Sequence, residues 1–169
     1  NNEIASVGAL AGERLIDDND TGFDLLGSDW LHNQSPYFQA YGDDYYFHAG
    51  TVDPATSAKA TWTFTDVAPG SYEVLVTWPQ DASRASNAAY AVYAGGNGAT
   101  LLTPEGADSG EIRVNQRFAP NGSVFDGSAW QSLGVFTVDE HGVLRVELSS
   151  LGADGIVAAD AVRLVAATQ

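Results

Sequence analysis

Acidic residues in two separate places give the clearest chemical signal in this sequence. Asp160 lies within GIVAADAVRLV (155–165), in which every other residue except Arg163 is small or apolar. Strand alternation places Asp160 on the same face as Ile156 and Leu164, which predicts a buried carboxylate. Because a buried charge is costly unless another group pairs with it, Asp160 needs a partner.

The other acidic stretch, DDNDTGFD (17–24), offers oxygen ligands at alternate positions. Asp17 and Asn19 followed by Gly22 are similar to the start of an EF-hand calcium loop. The match fails at Thr21 and again at Ser28, where that loop requires a bidentate glutamate. The stretch is therefore not an EF-hand, but its carboxylates remain candidate cation ligands.

Two arrangements could satisfy Asp160. Backbone amides and Arg84 could donate hydrogen bonds to it without a metal, which is common for buried carboxylates. Alternatively, the first and last strands meet, and Asp160 joins Asp17 or Asp18 around a structural Ca²⁺ ion. The sequence allows both arrangements, and the second makes Ca²⁺ a candidate cofactor.

Composition narrows the classes of partner and compartment. The 169 residues include 22 acidic and 7 basic side chains, for a formal net charge of −15. This charge disfavours nucleic acids, anionic membranes and polyanionic glycans as partners. There is no cysteine, so disulfides and thiolate chemistry are excluded. We expect a monomeric, secreted extracellular protein.

The elements that must position these residues are predicted to be strands. Alternating apolar residues separated by turn signals such as APG, GGNG and PNG favour an all-β fold, either a β-sandwich or a jelly roll. We expect a linker or leading strand over 1–13 and one module over 14–169. The candidate strands are KATWTFTDV (59–67), SYEVLVTW (71–78), AAYAVYA (88–94), EIRVNQRF (111–118), SLGVFTV (132–138), VLRVELS (143–149) and the closing 155–165.

No catalytic motif stands out. G-x-S-x-G is absent, and His32, His48 and His141 lack metal-ligand spacing, so each histidine is interpreted as an ordinary surface or packing residue. Acidic residues are abundant, but nothing selects a pair for glycoside hydrolysis. We therefore predict that the chain is not an enzyme.

Aromatic residues point instead to sugar binding, because the flat C–H faces of sugars pack on aromatic rings. The segment 30–50 is rich in aromatic residues, and Trp130 follows the turn-rich stretch NGSVFDGSA. Some of these rings belong to the core. Our stacking candidates are Trp30, Tyr37, Tyr41 and Trp130.

A series of motifs in order resembles the golvesin C-terminal-like domain, which is also described as the carbohydrate-binding-like domain of xanthan lyase. The motifs are IDDNDTGF, GSDW, YGDDY, ATWTF, PGSYEVLVTWP, SRASNAAYAVY, VNQR, WQSLGVFTV and GIVAADAVRLV, within residues 14–166. The resemblance implies an accessory module of secreted bacterial enzymes with an antiparallel, jelly-roll-like (galactose-binding-like) β-sandwich fold. Carbohydrate binding is the role usually assigned to it. It also implies that Asp160 belongs to the scaffold, with or without calcium.

The same resemblance supplies the polar candidates. The family pattern is matched by Trp78, Arg84, Ser86 and Asn87 in one stretch, and by Gln116, Arg117, Trp130, Leu133 and Gly134 in another. The region between Ala94 and Trp130 is longer than the usual pattern, which places a distinct specificity in its loops. Our hydrogen-bonding candidates are Arg84, Asn87, Gln116 and Arg117.

Together these observations predict a non-catalytic carbohydrate-binding module of a secreted bacterial enzyme that acts on polysaccharides or other polymers. Its expected partners are a polysaccharide or oligosaccharide and the covalently linked catalytic domain. The alternative is a structural or interaction domain that stabilises a neighbouring catalytic domain and has no glycan ligand. An exposed apolar patch would favour that alternative.

Overall fold

The computed structural model describes residues 13–95 and 99–167. Short β-strands dominate, with 3-10 turns at Pro36–Phe38, Tyr41–Asp43 and Pro54–Thr56. In these two ranges no helix is long and apolar enough to cross a membrane. The strands are β1 (Glu13–Ile16), β2 (Phe23–Leu26), β3 (Leu31–Asn33), β4 (Tyr45–His48), β5 (Lys59–Phe64), β6 (Gly70–Thr77), β7 (Ala88–Ala94), β8 (Thr100–Leu101), β9 (Ile112–Val114), β10 (Val124–Phe125), β11 (Ser128–Ala129), β12 (Gln131–Val138), β13 (Leu144–Ser149), β14 (Val157–Ala159) and β15 (Ala161–Ala166).

Two antiparallel sheets form a sandwich. One has the strand order β1–β15–β6–β12, and the other has the order β2–β5–β13–β7–β8, with β9 also paired to β7. A smaller sheet, β14–β4–β3, and the hairpin β10–β11 complete the described ladders. The predicted all-β, jelly-roll-like antiparallel sandwich is confirmed. Residues 1–12 of the predicted linker or leading strand lie outside the described residues, and Glu13 begins β1.

The core lies between the two large sheets. Trp62 and Phe64 of β5 and Val146 of β13 come from one sheet, and Val76 of β6 and Leu164 of β15 come from the other. All five side chains have no exposed surface and belong to one apolar cluster. The alternation seen in the sequence therefore marks the buried face correctly for the central strands.

The closing strand differs from the prediction because it is interrupted at Asp160. β14 ends at Ala159 and pairs with β4, whereas β15 begins at Ala161 and pairs with β6 and β1. The chain thus passes from one sheet to another at Asp160. Its carbonyl accepts a 3.2 Å hydrogen bond from Trp62 Nε1. The predicted strand over 111–118 is also shorter, because only Ile112–Val114 pairs with β7.

Candidate functional site

A groove of about 700 Å³ opens at one end of the sandwich. One wall is the segment that contains the first two 3-10 turns, and the opposite wall comes from the insertion before β12. The end of β6 and the residues after it also contribute. The lining residues are 36, 38–43, 77–80, 119–120 and 126–129. This volume lies within the range of ligand sites in proteins.

Tyr41 connects the two walls of the groove. Its hydroxyl donates a 2.7 Å hydrogen bond to Asp126 Oδ2 in the β10–β11 turn. Its ring packs edge-on against Trp130, with a centroid separation of 5.5 Å. Burial and the hydrogen bond to Asp126 raise the pKa of Tyr41, so the hydroxyl is protonated at neutral pH and can act as the donor. The structure brings this predicted residue into the groove.

Tyr37 lies beside the groove and is the most exposed aromatic candidate. Its side chain is 80% exposed, and its ring meets that of Phe38 edge-on with a 5.0 Å centroid separation. Phe38 itself lines the groove. The 3-10 turn that carries both rings begins at Pro36 and is capped by Ser35, whose Oγ accepts from Tyr37 N.

The prediction that Trp130 stacks on a sugar is wrong, because its side chain has no exposed surface. The indole Nε1 donates to the carbonyl of Phe125 at 3.0 Å, and the ring packs with Leu75 and Ala161 in a small second core. Trp130 therefore supports Tyr41 from behind. A tryptophan that follows a turn-rich stretch is expected at the surface. Here the insertion before β12 folds back, and its residue Phe125 packs against Trp130.

Trp30 remains half-buried and does not line the groove. Its Nε1 donates to the carbonyl of Leu26 at 3.2 Å, and its ring packs edge-on against His48 with a 5.1 Å separation. The first contact closes the β2–β3 connection onto the end of β2, and the second packs it against β4. The structure gives Trp30 a packing role, away from Tyr37 and Tyr41.

The prediction that Arg84 contacts a sugar directly is also wrong, because only 3% of the residue is exposed. Its Nη2 donates to the Tyr45 hydroxyl at 2.9 Å, and its Nε donates to the carbonyl of Pro79 at 3.0 Å. The guanidinium carbon lies 5.4 Å from the centre of the Phe38 ring. Arg84 therefore holds the groove lining from beneath. It does not donate to Asp160, contrary to one of the two arrangements that the sequence allowed.

Gln116 is fully buried, which corrects its assignment as a sugar ligand. Its amide forms a reciprocal pair with the backbone of β14: Nε2 donates to the Ala158 carbonyl at 3.0 Å and Oε1 accepts from Ala158 N at 2.8 Å. The Gln116 side chain thus forms the pair of backbone hydrogen bonds that a neighbouring strand would otherwise form with β14. The family motif that contains it is a scaffold motif.

Asn87 and Arg117 lie outside the groove and bind backbone groups. Asn87 donates to the Gly152 carbonyl at 3.0 Å and accepts from Asp154 N at 2.9 Å. Arg117 Nε donates to the Arg84 carbonyl at 2.9 Å, and its Nη2 lies 3.8 Å from Asp154 Oδ1. Of the four polar candidates, none lines the groove.

The carboxylates of Asp17, Asp18 and Asp160 meet beneath the Tyr41 wall. Each offers an oxygen within 4.8 Å of the others. Asp18 and Asp160 are almost completely buried, at 2% and 1% exposure. Both oxygens of Asp18 and Oδ1 of Asp160 are buried without a hydrogen-bond partner. This is the meeting of first and last strands that the sequence allowed.

The electrostatics of this acidic cluster favour a positive charge at its centre. Burial and the nearby charges of Asp17 and Asp44 raise the pKa of Asp18 to about 10. Burial and the charges of Asp17 and Asp18 raise the pKa of Asp160 well above its usual range. Such shifts mean that burial and mutual repulsion disfavour the ionised carboxylates, so a bound cation would stabilise them.

The donor set fits Ca²⁺. Three carboxylates supply hard oxygen ligands, and three buried oxygens are free of other partners, which suits an ion that takes six to eight oxygens. Gly42 keeps this space open: with φ +68, it approaches so closely that an added Cβ would lie 2.5 Å from Asp17 Oδ2. Asp17, Asp18 and Asp160 would hold the ion, whose charge would offset their burial.

A comparison with protein families agrees with the resemblance that the sequence motifs indicated. The family model described as the golvesin C-terminal domain matches residues 14–166. The chain belongs to the golvesin C-terminal domain family, as its motifs indicated. No curated protein sequence matches it.

Solved structures show where this fold recurs. Paenibacillus xanthan lyase is 23% identical with a TM-score of 0.69; the alignment covers 93% of this chain and 13% of the lyase. A family 35 carbohydrate-binding module from Clostridium thermocellum is 12% identical with a TM-score of 0.56, over 92% of this chain and 98% of the module. The Podospora anserina GH26-CBM35 β-(1,4)-mannanase is 11% identical with a TM-score of 0.52, over 94% of this chain and 28% of the mannanase.

These identities show the fold alone. The chain has the β-sandwich fold of a carbohydrate-binding-like module. It spans only 13% of the xanthan lyase chain, so the activity of that whole enzyme is not carried over.

Proposed function

We propose that this chain is a non-catalytic carbohydrate-binding module whose groove holds a neutral segment of a polysaccharide. The observation that carries the proposal is the groove itself, which combines the half-buried rings of Phe38 and Tyr41 with hydrogen-bonding side chains, while the 80% exposed Tyr37 lies beside it. It is open along one side, as binding within a polymer chain requires.

Affinity would come from the ring faces on the 36–43 wall. Tyr37 and Tyr41 are the predicted stacking residues that remain available, and Phe38 adds an apolar surface. Specificity would come from hydrogen bonds between sugar hydroxyls and the polar lining. The polar side chains that line the groove include Gln39, Asp43, Gln80, Asp126 and Ser128.

Charge selects the substrate class. The charged residues among those lining the groove are Asp43 and Asp126, both acidic, and the lining contains no basic side chain. The whole chain carries a formal charge of −15. A uronate-bearing or sulfated polymer would be repelled, so the groove suits a neutral glycan.

A Ca²⁺ ion held by Asp17, Asp18 and Asp160 would stabilise the groove rather than contact the sugar. Asp160 accepts a 2.9 Å hydrogen bond from Tyr41 N, and Asp17 packs against Gly42. Both partners lie in the groove wall. The cation would therefore fix the backbone that carries Tyr41.

The wider context belongs to the same proposal. We infer a monomeric accessory domain of a secreted bacterial enzyme, covalently linked to the catalytic domain that degrades the bound polymer. The support is family membership together with the occurrence of this fold as 13% of a xanthan lyase and 28% of a mannanase.

Affinity electrophoresis through gels that contain single polysaccharides tests the proposal. Retardation is expected with one or more neutral polymers and not with polyanionic ones. Tyr37→Ala and Tyr41→Ala should weaken the retardation at least tenfold, about 1.4 kcal/mol each. Phe118→Ala is the matched control, because Phe118 is 67% exposed and does not line the groove, whereas the Tyr37 ring packs on Phe38, which does line it.

Two results would contradict the proposal. Absence of retardation across a broad panel would favour a structural domain that stabilises a neighbouring catalytic domain. Equal loss in Phe118→Ala and Tyr37→Ala would show that binding is non-specific adsorption to exposed rings.

A further inference from the structure

A second group of possible ligands lies on the other side of Asp18. Asp18, His32 and Asp44 each offer a ligand atom, and these three atoms lie within 4.8 Å of one another. His32 Nε2 is 2.9 Å from Asp44 Oδ2. That separation is a hydrogen bond, whose proton a cation bound by both side chains would replace.

Three separate segments bring these side chains together. Asp18 lies in the turn after β1, Asp44 immediately precedes β4, and His32 is in β3 opposite Tyr46 of β4. The imidazole stacks on the Tyr46 ring, with a centroid separation of 4.4 Å and an interplanar angle of 14°. Strand pairing and stacking therefore fix the direction in which Nε2 points.

Hydrogen bonding leaves ligand oxygens free on this side as well. Asp44 is 7% exposed, and its Oδ2 accepts from Asn19 Nδ2 at 2.6 Å and contacts His32. Its Oδ1 is buried without a partner, as are both oxygens of Asp18. Asp18 thus has two unpartnered oxygens and belongs to both ligand groups, as a bridging carboxylate would.

Charge points to two cations rather than one. Asp17, Asp18, Asp44 and Asp160 carry four negative charges when ionised, and one divalent ion would balance only half of them. The two ligand groups also differ in chemistry: Asp17, Asp18 and Asp160 are all-oxygen, which suits Ca²⁺, whereas His32 supplies an imidazole nitrogen. Imidazole ligands favour Zn²⁺ and related first-row metals.

We propose that Asp18, His32 and Asp44 bind a Zn²⁺-class divalent cation next to the all-oxygen site, with Asp18 bridging the two ions. This site does not depend on glycan binding. Three protein ligands leave room for water in the coordination shell.

Access from solvent exists. A pocket of about 270 Å³ is lined by Asp18, Asn19 and Tyr46, and by the acidic side chains of Asp20 and Asp24. Side-chain exposure of His32 is 31%, so the imidazole also reaches solvent. The acidic rim would concentrate cations at the entrance.

Titration calorimetry with Zn²⁺ on chain held in excess Ca²⁺ tests the proposal, with Co²⁺ absorption as a second readout. We expect one Zn²⁺ per chain that Ca²⁺ does not displace, and a Co²⁺ spectrum that reports a nitrogen ligand. His32→Phe keeps a ring on Tyr46 but removes the nitrogen. It should weaken Zn²⁺ binding by roughly a hundredfold or more, while the rise in unfolding temperature caused by Ca²⁺ is unchanged.

His141→Phe is the matched control, because His141 Nδ1 lies 3.2 Å from Asp139 Oδ1 on the surface with no third ligand in the described residues. Its Zn²⁺ affinity should equal that of the parent chain. Asp44→Asn, which keeps an acceptor for Asn19, provides an independent loss of Zn²⁺ binding. Equal Zn²⁺ affinity in His32→Phe and the parent chain overturns the proposal. So does complete displacement of Zn²⁺ by Ca²⁺, because that result would mean a single shared site.

Discussion

Tyr41 and Asp160 are joined by a 2.9 Å hydrogen bond from the backbone N–H of Tyr41 to Oδ2 of Asp160. Tyr41 belongs to the groove wall, and Asp160 belongs to the acidic cluster. The hydrogen bond therefore links the place where a glycan would bind to the place where a cation would bind. Substitutions or cation binding in the acidic cluster should therefore affect the position of Tyr41 in the groove wall.

Asp160→Asn should remove the response of the chain to Ca²⁺. At a Ca²⁺ concentration about a hundred times the Kd, a single site adds about 2.7 kcal/mol to the free energy of unfolding. For a chain of this size, that corresponds to a rise of roughly 5–10 °C in the unfolding temperature of the parent chain. Differential scanning calorimetry with Ca²⁺ and with a chelator measures the difference.

The sign of the effect without Ca²⁺ separates a cation site from a purely structural carboxylate. In chelator, Asp160→Asn should be at least as stable as the parent, because it removes a buried carboxyl group whose ionisation is unfavourable and keeps an acceptor for Tyr41 N. Asp108→Asn, an exposed change outside the cluster, should alter neither the stability in chelator nor the stabilisation by Ca²⁺. Equal destabilisation of Asp160→Asn with and without Ca²⁺ would exclude a role in binding the ion.

The cation-free chain should lose stability as the pH rises. The folded pKa of Asp18 is about 10, and that of Asp160 is also raised, whereas an unfolded Asp titrates near about 4. Between these values the folded state holds more protons than the unfolded state, so the free energy of unfolding falls with increasing pH. Urea unfolding in chelator should give a lower stability at about pH 8 than at about pH 5.

Saturating Ca²⁺ should abolish the decrease of the free energy of unfolding with rising pH, because the ion replaces the protons on the carboxylates. Ca²⁺ affinity should accordingly increase with pH over the same window. A stability in chelator that rises with pH would contradict the burial of mutually repelling carboxylates.

Gly42→Ala should weaken Ca²⁺ binding through Asp17. The new Cβ would lie 2.5 Å from Asp17 Oδ2, so the carboxylate must move, and the φ of +68 adds strain of about 1–2 kcal/mol. Gly106→Ala is a matched control, because its φ is +81 but nothing lies within 4 Å of the added Cβ. Calorimetric titration should show a lower Ca²⁺ affinity only for Gly42→Ala. Equal affinity in the two variants would place the cation away from Asp17.

The sequence predicted the sandwich because its central strands have one buried face each. In β5, Trp62 and Phe64 alternate with threonines and have no exposed surface, as the pattern predicted, although Thr61 on the other face is also buried. The short N-terminal strands β2, β3 and β4 were not predicted. Each has only three or four residues, and β3 and β4 lie in an aromatic stretch whose periodicity is not that of a sheet.

The groove could be predicted only in part. Tyr37 and Tyr41 were found from their type, but Trp130 and Gln116 were assigned to the ligand when they are buried. Exposure depends on how the insertion before β12 folds back, which no local pattern encodes. His32 and Asp44 were missed as possible ligands for a related reason. Their proximity to Asp18 arises from the pairing of β3 with β4 and from the turn after β1.

Trp130→Ala and Tyr37→Ala should distinguish a buried residue that supports the groove from an exposed residue that contacts the glycan. The Trp130 side chain is fully buried and supports the Tyr41 ring, so its truncation should cost about 3–5 kcal/mol of unfolding free energy. The Tyr37 side chain is 80% exposed, so its truncation should change stability by less than about 0.5 kcal/mol. Guanidinium unfolding measures both, and affinity electrophoresis of the folded variants measures binding. We expect Tyr37→Ala to lose binding at full stability. A stable Trp130→Ala variant would show that the indole is a surface ring and would restore it as a candidate for sugar stacking.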